Sequence, residues 1–210
     1  MLIQPVNCFG HAAVASWRSP SAGTALGAML PDFATMAGLR LPASADPDVQ
    51  AGIALHHATD AAFHTLPPVL ALMRDLDARL AALGCARGPR RAASHIGIEL
   101  LLDGILVDDP TYRDAYTRAL AHDDPTLTFA NTTSDRIHFL LSRLRAHGVP
   151  YDLQNPDLIT QRLSRMLAHR PLLAPSRDDL AAIARGLRET EMAPEMAPAI
   201  NILNLLRASL

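Results

Sequence analysis

Lysine is absent from this chain of 210 residues; all 19 basic side chains are arginine. Without lysine there is no Schiff-base chemistry and no Walker A loop, because both need a lysine amine at a fixed place. Cysteine is scarce. Cys8 and Cys85 lie far apart, no Cys-x-x-Cys occurs, and two distant thiols make no disulfide framework. The expected setting is therefore a reducing cytoplasm. There is no Gly-x-Gly-x-x-Gly for a dinucleotide and no Gly-x-Ser-x-Gly elbow for a serine nucleophile. A net charge of -2 gives no general footprint for nucleic acid. No basic stretch followed by an apolar run opens the chain, so no signal peptide is expected. The most apolar segment, 96–107, carries Glu99 and Asp103 and is too short to span a bilayer, so no membrane partner is expected either.

What is present favours helix. Apolar residues make up 49% of the chain and aromatics only 4%. Alanine and leucine, both strong helix formers, supply much of that share. Period-two alternation is missing, and no strand is expected. Helices are expected over 9–17, 22–30, 68–83, 92–107, 111–121, 156–169, 177–188 and 197–206. A further short turn should start at Pro31, with 40–45 as a loop. Asp46-Pro47-Asp48 reads as a helix start running to about 65, with a capping acid, proline at the first position and acid in the first turn. Thr133 or Ser134 should cap a helix ending near Gly148. Together these elements give an all-α, single-domain multi-helix bundle over 1–210.

Two stripes carry potential chemistry. His56, Asp60 and His64 lie four residues apart, a spacing that places side chains on one helical face. His57 adds another imidazole. Small neighbours (Ala51, Gly52, Ala54, Ala58, Ala61, Ala62) suggest a central helix that others approach closely. His95, Glu99 and Asp103 repeat the spacing on the apolar segment, with His95 the weakest member because it stands near that segment's start. Carboxylates on a buried helix need a hydrogen-bonded, charged or metallic partner. His11 and Asp32, on two upstream apolar helices, extend the set.

Imidazole nitrogen with carboxylate oxygen suits Mn, Fe, Zn or Ni rather than a closed structural zinc site. The candidate ligands are His11, Asp32, His56, His57, Asp60, His64, Glu99 and Asp103, with Asp32 or Asp103 as the acid that handles a proton. A buried polar network without metal is the alternative reading. Arg136, Arg143, Arg145, Arg162, Arg165 and Arg170 make a basic tendency, either a solvated face or a dock for an acidic partner.

Several segments resemble one family. They are Asn7-x-x-x-His11, Gly27-Ala28-Met29-Leu30-Pro31-Asp32-Phe33, the run from Asp48 to His56 with Asp60, Leu66-Pro67-Pro68-Val69, the acids Glu99 and Asp103, and Met166-Leu167-Ala168-His169-Arg170-Pro171. Their order and spacing resemble the acyl carrier protein phosphodiesterases. The resemblance implies an all-α fold related to the HD-domain phosphohydrolases. It also implies a divalent-metal-dependent hydrolase, with manganese as the usual ion, that releases phosphopantetheine from holo-acyl carrier protein. Asp32 matches the acid of that family's Gly-x-x-x-x-Asp-Phe segment, His56 and Asp60 its His-Arg-x-x-Asp segment, and Asp103 its Asp-His-Phe segment. Three positions depart: His57 replaces the arginine, Gly104 the histidine after the last acid, and His64 an acid. Losing the guanidinium removes a fixed bidentate phosphate binder. The expected activity is phosphoester hydrolysis on acyl carrier protein or a smaller phosphoester, or else metal or partner binding without turnover.

Overall fold

Capping side chains set where the helices begin. In the computed structural model, which describes residues 8–40, 42–130, 135–192 and 199–210, Ser21 Oγ accepts the Gly23 and Thr24 amides at 3.2 and 3.4 Å and so opens α2 (Ala22–Ala37). The same hydroxyl donates to Asp48 at 2.6 Å, in the first turn of α3 (Pro47–Phe63). Asp46 caps α3 as its sequence suggests, accepting the Asp48 amide at 2.8 Å. α1 (Cys8–Arg18) precedes these two.

The chain is all-α, and its Cα packing groups it into two units. The first holds residues 3–61 and 106–150. It contains α1, α2, most of α3, α6 (Pro110–Ala121) and α7 (Asp135–His147). α2 packs against α1, α6 and α7, and its Leu26, Met29, Leu30 and Phe33 are fully buried. Phe9 of α1 meets Tyr116 of α6 with ring centroids 5.3 Å apart. The second unit, 62–105 and 151–210, holds α4 (Pro67–Ala82), most of α5 (Arg87–Leu106), a 3-10 turn (Tyr151–Gln154), α8 (Pro156–Leu167), α9 (Arg177–Glu191) and α10 (Ala199–Ser209). There α9 packs on α4 and α8. No helix among the described residues is long and apolar enough to cross a membrane.

Several expectations change. Pro31 does not restart a helix but lies inside α2. Its missing amide forfeits a bond to the Gly27 carbonyl, at a cost of about 3 kcal/mol. Burial of Phe33, Ala34 and Ala37 beyond it carries the helix through. α5 begins at Arg87 rather than 92 because Pro89 falls in the first turn, where an amide has no helical partner anyway. The loop after α2 contains a short antiparallel ladder, β1 (Pro42–Ala43) paired with β2 (Thr128–Phe129). α3 is not an all-round central helix: only Val49, Gly52, His56 and Thr59 are buried, while Ala51, Ala54, Ala58 and Ala61 face out. Thr133 and Ser134, the expected caps of α7, lie outside the described residues, as does Asn7.

The small residues of α3 matter at one point, where α3 meets α2. A Cβ on Gly52 would lie 2.1 Å from the Thr24 carbonyl oxygen, and one on Gly27 2.1 Å from that of Val49. The two backbones therefore touch glycine to glycine. In the second unit, Asp179 closes a capping box with Ser176 and accepts the Ala86 amide at 2.7 Å. Burial and the adjacent Asp179 push the Cys85 thiol up to about 12.

Gly52→Ala should cost about 3 kcal/mol or more, because rigid backbone must move. Gly84→Ala, at φ 79° with no atom near its would-be Cβ, should cost only about 1 kcal/mol. Chemical denaturation of both variants checks the ordering, and equal losses would show that the helices do not meet this closely.

Candidate metal centre

The glycine crossing puts His56, one turn beyond Gly52, against the backbone of α2. His56 Nδ1 lies 2.9 Å from the Ala28 carbonyl oxygen. A carbonyl only accepts, so Nδ1 carries the proton and donates it. This fixes the ring and leaves Nε2 as the atom that faces the site. One turn further, Asp60 presents Oδ2 to His56 Nε2 at 3.3 Å. Its Oδ1 lies 3.3 Å from Nε2 of His11, which is only 4% exposed on α1. The two imidazoles stack obliquely, centroids 4.1 Å apart and 30° between planes. Asp32 Oδ2 stands 3.9 Å from His11 Nε2.

In neutral His56 the Nε2 lone pair would face a carboxylate oxygen, acceptor against acceptor. The geometry is satisfied by a proton or by a cation. Burial works against the charged imidazole, but the Asp60 hydrogen bond and the charges of Asp32 and Asp60 outweigh it, and the His56 pKa rises above its ordinary 6.5. Burial likewise works against ionised Asp60, yet hydrogen bonds from His11 and His56 hold its carboxyl well below the usual range. The ligand atoms of His11, His56 and Asp60 all lie within 4.8 Å of one another, and two imidazoles with a carboxylate suit a divalent transition ion. The Nδ1–H bond to Ala28 is the kind of outer contact that orients a ligating histidine.

The other candidates are placed differently. His57 is exposed, its ring nearly perpendicular to that of His56 with centroids 5.3 Å apart, and lies outside the ligand group. His64, just past the end of α3, joins Glu99 in a second group completed by His95, a residue given little weight in the sequence. Asp103 is buried on α5 at 3% exposure and belongs to neither group. The Ala28 carbonyl has no sequence signal, since every residue carries a carbonyl. Of the arginines forming the basic tendency, Arg162 is only 2% exposed and binds Asp152 through two bonds of 2.5 and 2.6 Å. Arg136 donates to the Ala37 carbonyl and Arg145 to that of Leu120. Arg165 donates to Gln161 at 3.4 Å, so four of the six have internal contacts.

No family model, curated protein or solved structure matches the chain.

The raised His56 pKa carries a sign. Its stabilising effect on the metal-free protein is present below pH 6.5 and fades as pH rises through the folded-state value. That of Asp60 is present above 3.8 and is lost as pH falls through its lowered value. An NMR titration of chelator-treated protein should place the His56 pKa above 6.5, and a value below it would mean that Asp60 does not face the ring.

Proposed function

We propose that the protein is a divalent-metal-dependent phosphoester hydrolase, with the ion held by His11, His56 and Asp60. The observation that carries this reading is the convergence of two imidazole Nε2 atoms on one carboxylate, with His56 locked by Ala28. His11, His56 and Asp60 would hold a divalent ion, which when bound would lower the pKa of a water and offset charge on phosphate oxygens. Asp32, beside His11 but outside the three-ligand group, is assigned the proton of the attacking water. The water oxygen would bond to phosphorus as the ester P–O bond breaks, and the proton taken up by Asp32 would pass to the leaving oxygen, returning Asp32 to its carboxylate. Manganese is the first ion to try, followed by iron, zinc and nickel.

The resemblance to the acyl carrier protein phosphodiesterases supports a phosphodiester substrate, with the phosphopantetheine linkage of holo-acyl carrier protein as the first candidate and a smaller phosphoester as the second. A cytoplasmic location fits two buried free thiols, Cys8 and Cys85.

One observation favours a second reading, a helical metal-binding relative without turnover. A Cβ on Gly104 would lie 2.2 Å from the Leu153 carbonyl oxygen, so the histidine that the resemblance expects there has no room. The exposed His57 likewise offers no fixed guanidinium.

The two readings part on turnover. With manganese, the protein should release phosphopantetheine from holo-acyl carrier protein or hydrolyse bis-p-nitrophenyl phosphate. Asp32→Asn should lower kcat by about a hundredfold or more while keeping metal, as expected for a lost proton acceptor. Asp60→Ala should lose both metal and activity. Manganese binding with no hydrolysis of any phosphodiester would leave the binding reading.

A further inference from the structure

We propose that His64, His95 and Glu99 form a second cation site, separate from the first in its residues and suited to zinc or nickel rather than manganese. It does not depend on the hydrolase reading.

The two rings lie stacked, centroids 4.8 Å apart and 18° between planes. Both Nε2 atoms face one oxygen, Glu99 Oε1, at 3.6 Å from His64 and 3.3 Å from His95. Glu99 is 6% exposed and is flanked on α5 by the buried Ile98, Leu100, Leu101 and Leu102. An ionised carboxylate in such surroundings needs a positive partner. One protonated ring beside a neutral one would supply that partner with a proton. A divalent ion shared by both Nε2 atoms and Oε1 supplies it with both rings neutral, and uses both nitrogens that converge on the one oxygen.

The two groups offer the same donors, two imidazole nitrogens and one carboxylate oxygen, a set that ranks zinc and nickel above manganese. They differ in what stands beside them: the first has a further carboxylate, Asp32, 3.9 Å from His11 and outside its three ligands. Access differs too. The His64 and His95 side chains are 35% and 49% exposed, whereas both histidines of the first group are nearly buried. His95 also lines an open cleft of about 600 Å³ whose other polar walls include Arg74, Arg87, Arg90 and Arg91. Only Asp77, paired with Arg90 at 2.9 Å, opposes those guanidiniums. An ion held by three protein ligands beside this cleft keeps a solvent-side position open, unlike a closed structural site.

The test is zinc titration of the chelator-treated full chain by calorimetry, with cobalt absorption as the spectroscopic signature. The variants are His95→Ala, at a half-exposed position where folding should survive, and His56→Ala/Asp60→Ala. Wild type should take two equivalents, and His95→Ala should lose one, or weaken it by about a hundredfold or more, since losing a ligand costs more than losing an outer contact. The double variant should keep the equivalent that His95→Ala loses. If wild type binds a single zinc and His95→Ala abolishes it, the second site stands and the first is in doubt. Zinc stoichiometry and affinity unchanged in His95→Ala would overturn the proposal. So would a cobalt spectrum that does not change on that substitution.

Discussion

The contact between Gly27 and Gly52 is the constraint from which the first site follows. With no side chain on either residue, α2 and α3 approach until carbonyl oxygens lie where Cβ atoms would be. One position after Gly27 stands the Ala28 carbonyl, and one turn after Gly52 stands His56. The crossing therefore sets the ring in place before any ligand chemistry is considered. Another turn along α3 brings Asp60, and the packing of α1 against α2 brings His11. Three helices thus contribute one or two polar groups each to one point.

Charge then decides what the point can do. His56 spends its Nδ1 proton on Ala28, so its other nitrogen must take a proton or a cation to face Asp60. Protons and metal ions compete for the same lone pair, and metal affinity rises as the imidazole loses its proton. Burial sharpens the competition, since an uncompensated charge among apolar side chains is expensive. The His64, His95 and Glu99 group repeats this logic with the burial reversed: there the carboxylate is buried and the imidazoles are partly exposed.

Much of the fold was legible in local chemistry. Asp46-Pro47-Asp48 announces α3, and glycine at 84 and 148 follows α4 and α7 in the left-handed conformation that ends helices. Pro31 misled, because a proline rule is local while the burial of Phe33 and Ala37 that overrides it is tertiary. The spacing of His56 and Asp60 pointed to a shared face, and they share one. The neighbouring His57 has the same chemistry, but a step of one residue turns it about 100° around the helix and out to solvent. The sequence gives His95 little weight because residue 92 reads as the start of its segment; α5 begins at Arg87, which leaves His95 well inside the helix and in register with Glu99. Gly104 reads in the sequence as a lost histidine, whereas the structure gives it a packing role against Leu153.

The most direct measurement is anomalous diffraction from crystals of the protein grown with manganese. A peak enclosed by His11 Nε2, His56 Nε2 and Asp60, absent from crystals of His56→Ala/Asp60→Ala, is the predicted result. A His11–His56–Asp60 cluster in the same geometry with no anomalous signal, with manganese, iron, zinc or nickel in turn, would show that a proton rather than a metal holds these side chains together.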